Sequence, residues 1–191
     1  MGDERNLPGS RTILETFNRH QVQYVHIGGA AAESLGWRGL SDDVDLTPAT
    51  TQQNLQRVAD AVKELDCGFR VDAVRYPMGF HQPGGIDART FRNQVSVALT
   101  SAEHGDLDIA LRPDGTAGYD DLVRNAATRQ VAGTSIAVPI AVPIAARADI
   151  IRSKQAADRE KDRDVLPAMR LDFELSERTE LAIRNRELGS R

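Results

Sequence analysis

The stretch Tyr24-Val25-His26-Ile27-Gly28-Gly29, followed after the 13 residues Ala30 to Asp42 by Asp43-Val44-Asp45-Leu46, decides how this chain folds. Gln23 to Ile27 is an aromatic and β-branched run that reads as a strand, and it stops at a glycine pair. Ala30 to Leu35 is alanine-rich and halts at Gly36, as a short helix does. Side chains alternate across a strand, so Asp43 and Asp45 project from one face and Val44 and Leu46 from the other. A face that carries carboxylates and a face that carries aliphatics call for a sheet with helices packed against its apolar side.

Outward from this centre, Ser10 caps an expected helix in which Ile13, Leu14 and Phe17 recur at helical spacing. From Thr51 onward, Leu55, Val58, Ala59, Val62 and Leu65 keep a 3.6-residue period up to Gly68, which predicts an amphipathic helix, and Phe69 to Asp72 reads as a strand after it. Tyr76 to Arg92, with three glycines and two prolines, reads as a loop that shapes the rim of a site. Val95 to Leu99 and Leu107 to Leu111 read as strands joined by a turn over Ser101 to Asp106, and Tyr119 to Ala127 as a helix. The tandem Ala137-Val138-Pro139-Ile140 and Ala141-Val142-Pro143-Ile144 gives one edge strand, where proline is tolerated, and one duplicated connection. Helices are expected over Asp149 to Ala157, Lys161 to Leu171 and Ser176 to Leu188. The class is α+β: a mixed β-sheet flanked by helices over residues 1–145, and a C-terminal helical part over 146–191 completing one unit.

Composition limits the function classes. With 191 residues and 40% hydrophobic content the chain can bury its own core. A formal charge of −4 excludes binding of nucleic acid by overall basicity, so such a partner must be met locally. Residues 1–146 carry 13 basic and 18 acidic side chains, whereas residues 147–191 carry 11 and 10. Lone Cys67 fits a reducing cytoplasm, and the opening MGDERNLPGS lacks the apolar core of a signal peptide. The longest uncharged run, Gln130 to Ala146, is broken by Pro139 and Pro143 and is too short to span a bilayer. His20, His26, His81 and His104 show no metal-ligand spacing, and His26 reads as a packed strand residue. Trp37 and Tyr76 read as packing residues that also suit stacking on a base.

Three features carry chemistry when taken together: Gly28-Gly29 after a strand, Asp43-Val44-Asp45 on the next, and Asp108 in Leu107-Asp108-Ile109 on a later one. Singly they have ordinary readings as a tight turn, a solvated strand face and a surface carboxylate. In this order they supply what nucleotide transfer from a nucleoside triphosphate needs, which is charge neutralisation and in-line positioning. Carboxylates two residues apart on a strand stand about 7 Å apart, enough to straddle two Mg²⁺ ions about 3.5–4 Å apart. Asp108 is placed to ligand one metal and to accept the proton of an attacking hydroxyl. The glycines let backbone approach the triphosphate, the following helix offers its first amides to the anion, and Ser41 offers a hydroxyl.

These residues resemble the DNA polymerase β-type nucleotidyltransferase superfamily, whose pattern is hydrophobic-Gly-Gly/Ser, a spacer, Asp-hydrophobic-Asp, and a later hydrophobic-Asp-hydrophobic. Within it the chain is most similar to the AbiEii-type and mycobacterial MenT toxin nucleotidyltransferases. The supporting segments are Tyr24 to Ala32, Ser41 to Leu46, and Asp149-Ile150-Ile151-Arg152-Ser153-Lys154 running into Arg159-Glu160-Lys161-Asp162. Ser41 stands where the site is often introduced by Thr, and keeps the hydroxyl.

The resemblance implies the nucleotidyltransferase fold, a two-metal Mg²⁺ site on Asp43, Asp45 and Asp108, and an NTP substrate. It implies further that Lys154 neutralises the triphosphate, that Arg159 and Lys161 contact phosphates or the acceptor, and that Asp162 orients those cations or the nucleotide. Arg147 is a weaker phosphate candidate. The alternating charges of Asp158 to Asp164 also read as a salt-bridged helical face. The implied function is a cytoplasmic toxin that transfers NMP to an RNA acceptor, the tRNA 3′ end, blocking aminoacylation and translation, with a cognate antitoxin protein as partner and no membrane role. Two rival readings are a small-molecule or protein nucleotidylyltransferase of the antibiotic-modifying type, and a non-catalytic module of the same fold that only binds.

Overall fold

A computed structural model describes residues 8–41, 43–71, 74–76, 85–131 and 140–189. In chain order the elements are α1 (Pro8–Arg19), β1 (Tyr24–Ile27), α2 (Gly28–Ser34), β2 (Val44–Pro48), α3 (Gln52–Glu64), β3 (Gly68–Val71) and β4 (Val74–Tyr76). There follow α4 (Ala88–Phe91), β5 (Ser96–Ser101), β6 (Gly105–Ala110), α5 (Tyr119–Leu122), β7 (Ala127–Val131), β8 (Ile140–Ile144), α6 (Arg147–Ala157) and α7 (Glu160–Gly189). The strands form one mixed sheet in the order β4-β3-β5-β6-β2-β1-β8-β7. This is the expected α+β class, a mixed sheet flanked by helices with a helical C-terminal part.

The apolar face of the sheet is set by alternation. Phe17 of α1 meets Tyr24 edge-on, with ring centroids 6.0 Å apart, so Tyr24 and His26 face α1. His26 pairs with Leu46, which puts Leu46 and Val44 on that side too, and both are fully buried. Helix α3 presents Leu55, Val58, Ala59 and Val62 to the same core, where each fully buried Leu or Val contributes about 1.5–3 kcal/mol. Thr51 caps α3, its side chain accepting from the Asn54 N–H. The opposite face of β2 is left for Asp45.

Several elements depart from the sequence reading. Helix α1 already includes Pro8, which suits a first helical turn, so Ser10 lies inside the helix rather than at its cap. The glycine pair is not a turn ahead of a helix: Gly28, at φ +83°, begins α2 itself, and Gly36, at φ +106°, follows its end. The helix expected from Tyr119 stops at Leu122, and Ala127–Val131 is the edge strand β7, whose polar, mostly exposed side chains hide the strand pattern. The second Ala-Val-Pro-Ile copy forms β8, which lies between β1 and β7 and is not an edge. Pro143 is tolerated there because the β1 ladder is short: the Ala145 N–H donates to His26 O, so the position two residues back turns its missing N–H toward β1 and costs no bond to β7. Ala137, Val138 and Pro139 lie outside the described residues, as do His81 and residues 77–84 of the expected rim loop. The two expected C-terminal helices are one, α7, continuous through Asp172 and Phe173, which are buried and tie its middle down.

Candidate active site

The parallel pairing of β2 with β6 brings Asp45 directly beside Asp108, with Val44 beside Leu107 and Leu46 beside Ile109. Period-two alternation puts Asp43 and Asp106, two residues earlier, on the same face. Over Asp43, Asp45 and Asp108 a cleft of about 420 Å³ opens. Its floor is Asp43, Asp45 and Asp108; one wall is Gly28, Gly29, Trp37, Leu40 and Ser41; another is Ser153 and Lys154 of α6, Arg159 of the link that follows, and Lys161 and Asp162 of α7. Val95, Ser96, Arg112 and Asp114 line the remaining side.

Both glycines are required by contact. A β-carbon on Gly28 would overlap the Asp45 carboxyl, and one on Gly29 would overlap the Ser41 side chain. The strand end therefore lies against the acidic strand with no side chain between them. Ser41 is fixed through its N–H, which donates to Glu33 Oε1 at 2.5 Å. Its loop is tied to α7 by Arg38, whose backbone N–H and Nε donate to Asp172 at 3.0 and 2.8 Å.

Burial pushes the Asp45 carboxyl up to about 7, and the neighbouring Asp108 and Asp43 add to the rise against the pull of Lys154 and Lys161. Asp45 has no ion-pair partner among the described residues. Asp108 is also raised, by burial first, with Arg70 opposing. A crowded set of carboxylate oxygens, one of them without a cation partner, fits a hard divalent ion such as Mg²⁺. Among the described residues no group of three or more His, Cys, Asp or Glu side chains forms a ready metal cage. The cation that Asp43, Asp106 and Asp108 meet is Arg70.

On the cationic wall, Asp162 is fully buried and accepts from Lys154 Nζ at 3.0 Å and Arg159 Nε at 2.6 Å. Burial pushes its carboxyl up, and the bonds from Arg159 and Lys154 outweigh that, leaving it below the usual carboxylate range. Asp162 thus sets the direction of two cations whose ammonium and guanidinium groups border the cleft. Lys161, beside them, is exposed.

Of the residues expected to hold metal or nucleotide, all but Arg147 line this cleft. Its guanidinium donates to Leu35 O, Ser176 Oγ and Glu180 Oε1 at 2.8, 3.0 and 2.6 Å and lies 5.7 Å over the Phe173 ring. The orphan carbonyl at the end of α2 and a carboxylate on α7 hold it away from the cleft, so the structure does not bring it to the phosphate position expected. Trp37 does line the cleft; Tyr76 contributes backbone to β4. His20 is engaged with Glu64 at 2.6 Å, and His26 is buried with neither ring nitrogen bonded. Cys67 is buried as well.

No family model matches the chain, and no curated protein does. Among solved structures it is similar to the lincomycin-bound lincosamide antibiotic adenylyltransferase LnuA, with a TM-score of 0.49 and 14% identity over 88% of this chain and 98% of that one. The functional reading therefore rests on the cleft itself.

Two residues of the cluster escape a reading of the sequence. Asp106 repeats with Asp108 the Asp-x-Asp period of Asp43 and Asp45, a signal that was present. Arg70 carries no local signal: only strand order brings β3 within reach of β6. No helix among the described residues is long and apolar enough to cross a membrane.

Proposed function

We propose that this protein is a Mg²⁺-dependent nucleotidyltransferase that moves a nucleoside monophosphate from an NTP to an acceptor hydroxyl. The observation that carries the reading is the meeting, in one cleft, of Asp43, Asp45 and Asp108 with the Gly28-Gly29-Ser41 wall and the Lys154, Arg159 and Lys161 wall. Asp43, Asp45 and Asp108 would hold Mg²⁺, whose chemistry there is to neutralise phosphate charge as a Lewis acid. The chain's own residues do the rest. Lys154, Arg159 and Lys161 bind the triphosphate, and Asp162 keeps the first two aimed at it. Gly28 and Gly29 admit the phosphates close to backbone, and Ser41 donates its hydroxyl. The acceptor oxygen forms a bond to the α-phosphorus as the bond to the pyrophosphate oxygen breaks. Asp108 takes the acceptor's proton and pyrophosphate leaves.

The acceptor is RNA, the 3′ end of tRNA, and the biological role is that of a cytoplasmic toxin that stops aminoacylation and is restrained by a cognate antitoxin. Support comes from the segment resemblance over Asp149 to Asp162 and from the cationic helices at the cleft, which suit a polyanionic acceptor. The test is to offer each α-labelled NTP with Mg²⁺ to tRNA, to an aminoglycoside and to a protein extract in parallel. Label in tRNA alone is expected; label on the small molecule or on protein, with none in RNA, overturns the RNA assignment.

A further inference from the structure

The cluster on β2 and β6 holds four carboxylates on one face, Asp43, Asp45, Asp106 and Asp108, and one guanidinium enters it from two strands away. Arg70 Nη2 donates to Asp108 Oδ1 at 2.7 Å, Nη1 bonds Asp106, and Nη1 stands 3.8 Å from Asp43. Strand β5 lies between, and the side chain crosses it where the residue paired with Asp108 is Ala98. The register Phe69↔Leu99 places Arg70 next to that alanine, and a larger residue there would stand in its path. The arginine is half-buried, with 19% of its side chain exposed, and Asp108, its partner at 2.7 Å, is 25% exposed, so the network is only partly screened by water.

Four carboxylates in partial burial repel one another, and a single forked guanidinium that bridges two of them relieves the repulsion and fixes their orientation. We propose that Arg70 is the resident counter-ion of the cleft. As a positioning residue it holds Asp106 and Asp108 in place before a divalent cation binds. It gives way on the Asp43 and Asp108 side when one does, so its charge sets how tightly the cleft takes that cation. The proposal rests on the reading of Asp43, Asp45 and Asp108 as a divalent-cation site.

The test is Mn²⁺ binding to the nucleotide-free full-length protein, measured by calorimetry and by the free-Mn²⁺ electron paramagnetic resonance signal, for the wild type, Arg70→Gln and Arg70→Lys. Removing a positive charge within about 4 Å of the site tightens divalent binding, by about tenfold or more in Arg70→Gln, while Arg70→Lys, which keeps the charge, stays near wild type. Loss of a merely structural residue would weaken binding instead. Equal or weaker binding in Arg70→Gln overturns the proposal alone; no binding by any of the three overturns the cation site and the proposal together. A Mg²⁺ titration of the wild type followed on the Arg70 Nε–H resonance gives a readout independent of any variant. That resonance is expected to shift with saturation, and an unmoved resonance in a protein that binds Mg²⁺ overturns the proposal.

Discussion

Lys154 Nζ donates to Asp162 Oδ1 at 3.0 Å, and Asp162 has no exposed surface. A fully buried carboxylate is retained only if cations satisfy it, and here the same bonds aim Lys154 and Arg159 at the cleft. Asp162→Asn keeps the shape and removes the charge. The KM for NTP is expected to rise by about tenfold or more, with a stability loss of about 1–3 kcal/mol, as steady-state kinetics and thermal unfolding would show.

Gly28 and Gly105 separate strain from contact. Both have positive φ, +83° and +82°, but a β-carbon meets the Asp45 carboxyl at Gly28 and nothing within 4 Å at Gly105. Gly105→Ala is expected to cost about 1–2 kcal/mol and leave activity intact. Gly28→Ala should destabilise more and lose activity as well, because Asp45 must move. Equal effects in paired unfolding and activity assays would contradict the arrangement.

His26 makes the fold sensitive to acid. Burial pushes its imidazole down to about 4, and neither nitrogen has a partner. The unfolded chain takes a proton near the ordinary value of about 6.5 while the folded chain does not, so stability is lost as pH falls from about 6.5 toward 4, to a limit of roughly 3 kcal/mol. Asp45 acts oppositely: its raised value means the folded state keeps a proton longer than the unfolded one, which removes stability as pH rises through about 7. Comparing wild type with His26→Leu isolates the histidine. The stability difference between the two should shift in favour of the variant between pH 7 and pH 5, as denaturant melts would register.

The Arg38–Asp172 link fastens the loop that carries Trp37 and Ser41 to α7. Asp172→Ala is expected to raise the KM for NTP several-fold with a smaller change in kcat, since it loosens a binding wall and leaves the carboxylates alone. A kcat loss without a KM change would place Asp172 elsewhere in the account.

Much of this was legible in the sequence because it depends on local period. The alternation of Asp43, Val44, Asp45 and Leu46 foretold a dry and a wet face, and the period from Leu55 to Leu65 foretold α3 and its buried side. Gly28, Gly29 and Ser41 stand out by type and order, and the structure sets Gly29 against Ser41 and Gly28 against Asp45. What was not legible depends on pairs distant in sequence. Arg147 looks like any cation at a helix start until Leu35 O, Ser176 and Glu180 claim it. Arg70 becomes part of the cluster only through the order β3-β5-β6. β7 was hidden because an edge strand with one buried residue has little alternation to show.

The most direct measurement is the transfer reaction itself, with α-labelled NTPs, tRNA and Mg²⁺, run in parallel on the wild type and Asp45→Asn. The expected result is label in RNA with one pyrophosphate released per nucleotide added, and a fall of at least about a hundredfold in the variant. No transfer from any of the four nucleotides, or equal transfer by Asp45→Asn, would contradict the assignment of this cleft to nucleotide transfer.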